Sequence, residues 1–325
     1  MILNISEAIR AGYAARAEQL IENEEVSIRQ GDGRTLACQK IALPNGLSAS
    51  VSWDRCMDIT RLGFRGVPLA YLGRTDERED LSAPFSGRFS GGMFYTCGLV
   101  NVGPGDDMQP THGRIHLQAA ARRSVIQTDT AIVLRGEMRE SSLFGENLLL
   151  CREMIFPLDR AEVQICDTIT NQTPQPQPYM LLYHINLGYP FFSEALRLQL
   201  PPNTATYAAG EYTPRDPAEF TRFGGPLPTA QEKDYNHRLP DTDGICRLNA
   251  ENPALGIGCS LSYGAASLPL LQQWVCLRSG DYVLGLEPTN NRVNGHKQAA
   301  AEGSLPVLPP FGTITTELAL SLYSL

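Results

Sequence analysis

The feature that most restricts how this chain can fold is a two-residue alternation of apolar and polar side chains. Successive side chains of a β-strand point to opposite faces of a sheet, so alternation of this kind is typical of half-buried strands. The apolar positions of the clearest stretches are Leu47, Ala49, Val51 and Trp53; Val163 and Ile165; Leu255, Ile257, Cys259 and Leu261; and Ile314, Leu318, Leu320 and Leu322. Turn-forming glycines and prolines, 29 and 23 in number, separate such stretches. The pattern predicts an all-β protein, with one large antiparallel β-sandwich over residues 1–325 as the simplest architecture.

Helical patterning is limited to the start of the chain. Residues from Ser6 to about Leu20 are rich in alanine, glutamate and arginine, which indicates a short helix within an N-terminal helical extension over residues 1–25. Elsewhere no alternation of strands and helices indicates a parallel sheet, and no glycine-rich phosphate loop follows a strand.

Composition excludes several classes of partner. The 325 residues are 42% hydrophobic and carry a net charge of −8 without a basic stripe, so we expect no nucleic-acid ligand. No apolar run approaches the ~20 residues that cross a bilayer, and the first residues lack the pattern of a signal peptide, so we expect no membrane partner. The eight cysteines include no CxxC pair, and several lie in strand-like stretches. We therefore expect reduced thiols and a cytoplasmic protein.

One strand-like stretch, residues 181–190 with the sequence LLYHINLGYP, carries a polar pair that suggests a site. Alternation places His184 and Asn186 on the face opposite to three apolar side chains, namely Tyr183, Ile185 and Leu187. The glycine and proline that follow end the strand, which predicts that the polar pair lies near a rim, where small-molecule sites are common. The alternative is a structural histidine that forms a hydrogen bond beneath a loop.

Three other stretches contain candidate binding groups. In WDRCMDI, Arg55 follows a predicted strand, where its guanidinium could bind hydroxyls or a carboxylate, or form a surface ion pair. In THGRIH, His112 and Arg114 flank a glycine, as in many binding loops. In YVLGLEPTN, alternation points Glu287 away from the apolar face, beside Gly285. Its carboxylate then has room for a ligand, unless this is an edge strand with Glu287 in solvent.

Other chemistries have weaker support. If residues 112–116 form a strand, His112 and His116 share one face, so a metal site with His184 is conceivable. No carboxylate–histidine motif accompanies them, and we expect no metal. No GxSxG elbow indicates a serine hydrolase. A glycosidase would need two carboxylates, for which the candidates beside Glu287 are Glu137, Glu140 and Glu146.

The order of three motifs, HG, then HxNL, then GLEP, resembles the aldose 1-epimerase (galactose mutarotase-like) superfamily. The similarity is greater to a divergent, uncharacterised branch, through DRCMDI, TCGLVN, THGR, LFGENL, YHINLGYP and YVLGLEPTN, which together span residues from about 40 to 320. The resemblance implies a single large β-sandwich, the galactose mutarotase-like supersandwich. It further implies that His184 is the catalytic acid, that Glu287 is the base and that His112 binds the sugar.

The chain also departs from the family pattern. The family's HGG is HGR here, so Arg114 stands where the family has glycine. The sugar-binding arginine and aspartate of the family have no clear matches, and Arg55 and Asp234 are the expected replacements. Asn186 is expected to hold a sugar hydroxyl. Trp274 or Tyr95 could stack on a sugar face, with a core tryptophan as the alternative.

The resemblance implies an isomerase that interconverts the α and β anomers of a free sugar by acid–base ring opening, without a cofactor. We expect a small carbohydrate as its ligand and a monomer or a homodimer. Two alternatives stay open. One is a non-catalytic carbohydrate-binding protein. The other is a sugar-phosphate epimerase, or a metal-dependent sugar isomerase or lyase, on the same fold. Arg55, Arg114 and Arg292 could bind a phosphate.

Overall fold

Strands dominate the computed structural model, which describes residues 5–29, 33–75, 83–208 and 215–325. In chain order the strands are β1 Glu22–Arg29, β2 Thr35–Ala42, β3 Leu47–Ser52, β4 Ile59–Phe64, β5 Val67–Pro68, β6 Phe94–Leu99, β7 Ala121–Gln127, β8 Ala131–Ser141, β9 Asn147–Pro157, β10 Glu162–Asn171, β11 Gln177–Pro178, β12 Met180–Gly188, β13 Arg197–Gln199, β14 Ala205–Ala208, β15 Lys233–Arg238, β16 Ile245–Asn252, β17 Ile257–Gly264, β18 Leu270–Arg278, β19 Asp281–Thr289, β20 Val307–Leu308 and β21 Thr313–Ser324. The prediction of an all-β protein is confirmed.

Helices are short. The α-helices are α1 Ile5–Arg10, α2 Phe85–Arg88, α3 Ala218–Thr221 and α4 His296–Ala301, and single 3₁₀ turns occupy Ala17–Gln19 and Ile115–Leu117. Within the described ranges, no helix has the length and apolar character needed to span a bilayer.

The strands form two large sheets and two smaller ones. The six-stranded sheet has the order β14-β15-β18-β19-β12-β6, and the eight-stranded sheet has the order β13-β16-β17-β21-β10-β9-β8-β7. Strands β1 to β5 form a five-stranded sheet in sequence order, and β11 pairs with β20. Neighbouring strands in both large sheets are antiparallel, because hairpins and longer loops return the chain beside itself.

The two large sheets enclose the main hydrophobic core. Alternate residues of β12, namely Tyr183, Ile185 and Leu187, lie in this core together with apolar residues of β9, β10 and β21 from the eight-stranded sheet. The Tyr183 hydroxyl donates to Oδ2 of Asp167 on β10 at 2.7 Å and so joins the two sheets. The predicted sandwich, and the predicted apolar face of β12, are confirmed.

A buried arginine reinforces this connection. The guanidinium of Arg152 on β9 is fully buried and donates to both carboxylate oxygens of Asp167, at 2.8 and 2.6 Å. It also donates to Asp58 at 3.2 Å and lies 4.9 Å from the ring centroid of Phe94 on β6. Charge-assisted bonds of this kind satisfy a guanidinium that would otherwise be costly to bury.

Near the N-terminus the predicted helix is too long. Helix α1 ends at Arg10 because Gly12 adopts a φ of +80°, with its N–H bonded to Ile9 O and that of Tyr13 bonded to Ala8 O. These two bonds form a Schellman cap, which a left-handed glycine favours. Strand β1 then begins at Glu22, so the described part of the predicted extension, residues 5–25, is not a continuous helix. Residues 1–4 of the predicted extension lie outside the described residues. None of the eight cysteines, all of which are described, forms a disulfide, in agreement with the expected thiols.

Candidate active site

One face of the six-stranded sheet forms the floor of a cleft of about 1740 Å³. The opposite face of this sheet packs on the core, so the alternation that buries one set of side chains presents the other set to the cleft. On β18 every second residue reaches the cleft, namely Leu270, Gln272, Trp274, Cys276 and Arg278.

His184 and Glu287 lie together on this floor. They project from the neighbouring antiparallel strands β12 and β19, where Ile185 pairs with Leu286, and Nε2 of His184 is 3.2 Å from Oε1 of Glu287. Only 5% of His184 and 2% of Glu287 is exposed. The predicted rim position is therefore wrong, since both strands have a neighbour on each side and the pair lies inside the sheet. For the same reason Glu287 is not on an edge strand.

Burial is the largest influence on the protonation of both groups. It raises the pKa of Glu287 well above its usual value, and the charge of Asp234 raises that pKa further. It lowers the pKa of His184 to about 3, with a smaller contribution from His112. Both shifts favour the neutral forms. Nε2 of His184 and Oε1 of Glu287 are in close contact, but they form no hydrogen bond with each other in the described chain.

Gly285 provides the space for the Glu287 carboxylate. A Cβ atom at position 285 would collide with Oε1 of Glu287 and would lie 3.1 Å from Cβ of Trp274. The glycine is in an extended strand with ordinary dihedral angles, so its role is steric. This agrees with the predicted room beside the carboxylate.

His112 approaches the pair from a loop. Its backbone is left-handed, with φ of +59°, and its Nδ1 accepts a hydrogen bond from the Gly103 N–H at 3.4 Å, which places the proton on Nε2. Burial lowers the pKa of His112 to about 4, so the ring is neutral at physiological pH. Its centroid is 6.1 Å from that of His184. A neutral Nε2–H can donate to a ligand hydroxyl.

Close backbone contacts hold the His112 loop. Gly98 and Gly113 form an isolated bridge, and a Cβ on Gly113 would collide with Gly98 O. The Asn101 side chain donates to the carbonyls of Pro104 and Pro110 at 3.0 and 2.9 Å. The two glycines thus allow the backbone of this loop to lie close to β6.

Aromatic rings surround His184. The Trp274 and Phe89 rings lie 5.4 and 5.1 Å from it, and Phe85 contacts His112 at 4.8 Å. Trp274 lines the cleft and its Nε1 donates to Glu232 at 2.9 Å, so the alternative of a core tryptophan is wrong. The sequence does not single out Phe85 and Phe89, because aromatic residues in a loop resemble those of a core.

Two polar side chains complete the floor. Asp234 lines the cleft from β15, where it pairs with Trp274, and burial raises its pKa. Gln272 lies opposite Glu287 on β18, and its buried Oε1 has no hydrogen-bond partner among the described residues. Gln272 was not predicted, although it shares the face of Trp274 by alternation.

Three predicted binding residues are absent from the lining of the cleft in the described chain: Arg55, Arg114 and Asn186. The Asn186 amide donates to the carbonyls of Gly92 and His184, each at 3.0 Å, and so has a structural role. Arg114 pairs with Glu140 at 3.0 Å and also binds Glu146. Arg55 lies behind the cleft wall, where its charge acts on His116. Their predicted ligand contacts are not supported.

The histidines do not form the strand that a three-histidine metal site requires. His112 is in a loop, and His116 is in the 3₁₀ turn Ile115–Leu117, buried against Tyr95. Across the described ranges, no three His, Cys, Asp or Glu side chains are placed to share a metal ion.

The chain belongs to the family described as a domain of unknown function, DUF4432, whose model matches residues 33–322. No curated protein matches the sequence. A solved structure from Klebsiella pneumoniae subsp. pneumoniae MGH 78578, provisionally named an aldose 1-epimerase, has a TM-score of 0.79 at 19% identity and covers 93% of this chain and 87% of its own.

Two other solved structures share the fold. A galactose mutarotase-like protein from Clostridium acetobutylicum has a TM-score of 0.67 at 12% identity, covering 94% of this chain and 100% of its own. A galactose 1-epimerase from Lactobacillus acidophilus NCFM has a TM-score of 0.65 at 12% identity, covering 94% and 99%. The predicted galactose mutarotase-like fold is confirmed.

Proposed function

We propose that this protein is an aldose 1-epimerase that interconverts the α and β anomers of a sugar, with Glu287 as base and His184 as acid. The observation that carries the proposal is the 3.2 Å contact between these two groups on the cleft floor. The names of the fold relatives support a sugar as the ligand.

The reaction needs two proton transfers at neighbouring oxygens. Glu287 takes the proton of the anomeric hydroxyl while His184 donates one to the ring oxygen, and the ring opens to the aldehyde. Rotation about the C1–C2 bond turns the carbonyl over. His184 then takes its proton back and Glu287 returns the other, which closes the ring as the opposite anomer.

The electrostatics of the floor favour ring opening. The cyclic sugar is bound by ionised Glu287 and protonated His184, whereas the open chain is bound by the neutral pair. Burial raises the pKa of Glu287 and lowers that of His184. Ring opening, in which Glu287 takes a proton from the anomeric hydroxyl and His184 gives one to the ring oxygen, therefore neutralises two buried charges. In this proposal, His112 Nε2–H and Asp234 hold hydroxyls of the sugar and Trp274 stacks on one of its faces, and the support is that all three line the cleft.

The test is anomer exchange, followed by NMR saturation transfer across a panel of free sugars and sugar phosphates. Glu287→Gln and His184→Asn should each lower kcat/KM by at least about a hundredfold, the typical contribution of one general acid or base. The double variant should be little worse than either single one, because the two groups act together. Glu302→Gln, an exposed change on the same cleft, is the matched control.

The proposal fails if both variants fold normally and keep near wild-type exchange on the best sugar. A protein that binds sugars without exchanging their anomers would instead be a carbohydrate-binding module.

A further inference from the structure

A second group of polar side chains is buried beside the cleft, behind the wall formed by Phe85 and Phe89. Tyr95 on β6, His116 in the 3₁₀ turn and Arg88 at the end of α2 are 7%, 1% and 7% exposed. The ring centroids of Tyr95 and His116 are 4.8 Å apart. The charges of Arg88 and Arg55 both reach His116 and lower its pKa, although burial is the larger cause.

These groups have few protein partners. Among the residues that the structure describes, no hydrogen-bond acceptor or donor meets Arg88 Nε, the Tyr95 hydroxyl or either ring nitrogen of His116. The ion pairs of the described chain do not include Arg88. An unpartnered donor in the interior destabilises the fold, and more so when it is charged.

The nearby carboxylate is already engaged. Asp58, whose charge also reaches Tyr95, accepts bonds from the Thr96 N–H at 3.0 Å and the Thr96 hydroxyl at 2.6 Å, and from Arg152 at 3.2 Å. Asp58 therefore has little remaining capacity to accept hydrogen bonds from Arg88 and His116. The cluster therefore keeps polar atoms that no described residue satisfies.

We propose that Arg88, Tyr95 and His116 form an internal binding site for a small anion. A guanidinium, a hydroxyl and an imidazole N–H are donors that a halide or a carboxylate group accepts from together. Tyr95 meets Phe85 and Phe89 edge-on, at 6.1 and 5.1 Å, and these two rings separate it from the cleft. The separation favours a free inorganic anion over the carboxylate of a cleft ligand.

The test uses bromide as the probe on the full chain. Melting temperature is measured against bromide concentration, with methanesulfonate holding the ionic strength constant. Crystals grown in bromide are examined for anomalous scattering between Arg88, Tyr95 and His116. We expect a melting temperature that rises with bromide and an anomalous peak at the cluster.

Three variants separate this site from general salt effects. Arg88→Met should weaken bromide binding by at least about tenfold, the loss expected for one charge-assisted bond. Tyr95→Phe keeps the ring contacts and should weaken it less, which preserves the test if Arg88→Met does not fold. Arg74→Met removes a cleft arginine that is paired with Asp281, and should leave the bromide response unchanged.

A second arm compares glucuronate with glucose. One outcome is that glucuronate raises the melting temperature, glucose and bromide do not, and Arg88→Met abolishes the effect of glucuronate. This outcome would support the site and assign it to the carboxylate of a ligand. No response to either anion, or a response that Arg88→Met retains, would overturn the proposal. The bromide readout does not depend on anomer exchange, so it stands or falls separately from the proposed function.

Discussion

Replacing Gly285 with alanine should inactivate the site without removing any catalytic group. The new Cβ would collide with Oε1 of Glu287, and ordinary van der Waals contact requires that oxygen to move by about 1 Å. A misplacement of this size costs ~10²-fold, equivalent to about 2.7 kcal/mol of transition-state stabilisation. Gly285 has no left-handed backbone, so any loss of stability should come from the new Cβ itself, which would also lie 3.1 Å from Cβ of Trp274.

The assay is kcat/KM for anomer exchange, measured beside thermal melting. The matched control is Gly264→Ala, also in a strand, where a Cβ would meet Ser267 Oγ at 3.5 Å, an ordinary contact. Glu287→Gln combined with Gly285→Ala should be no worse than Glu287→Gln alone, since both act on one carboxylate. Full activity in Gly285→Ala would refute the argument that catalysis depends on the placement of Glu287 against His184.

Three further expectations follow from the structure. Burial lowers the pKa of His184 to about 3 and raises that of Glu287, so the pair shares one proton across neutral pH. The fall of kcat/KM at low pH should therefore have its midpoint well below ~6.5, the ordinary pKa of histidine. A midpoint at or above that value would contradict this assignment. Treatment with EDTA should leave activity unchanged, and a loss that one divalent ion restores would indicate a metal. Arg152→Met should cost ~3–5 kcal/mol in denaturant unfolding because it leaves Asp167 charged and buried, and a cost below ~1 kcal/mol would show that the pair is dispensable.

Alternation alone was enough to predict the fold class. A strand with one face on a core must repeat every two residues, and this signal is local. The order of strands within each sheet is not local. Strand β12 lies between β6 and β19, and β19 follows it by about a hundred residues of sequence, so the burial of His184 inside the sheet could not be derived from its own segment. This is why the predicted rim position failed.

Most of the predicted site residues on strands reach the cleft, although Asn186 does not, and of the predicted residues on loops His112 does. Asp234, Trp274 and Glu287 reach the cleft because alternation directs them there. Arg55 and Arg114 have long side chains on irregular backbone, and their direction depends on partners elsewhere in the chain, such as Glu140 for Arg114. No local pattern contains that information.

The bond between Tyr183 and Asp167 has a consequence for the neighbouring residue. A shift of β12 by one position would exchange its two faces, bringing a phenol into the cleft and an imidazole into the core. The hydroxyl of Tyr183, anchored to the opposite sheet at 2.7 Å, opposes any such slip. The hydrogen bond of Tyr183, on the core face of β12, thereby fixes the orientation of His184 on the cleft face. The arrangement of His184 and Glu287 should therefore be lost only when the sandwich unfolds globally. The loops above the pair can change without disturbing it, and such changes can alter which ligands bind.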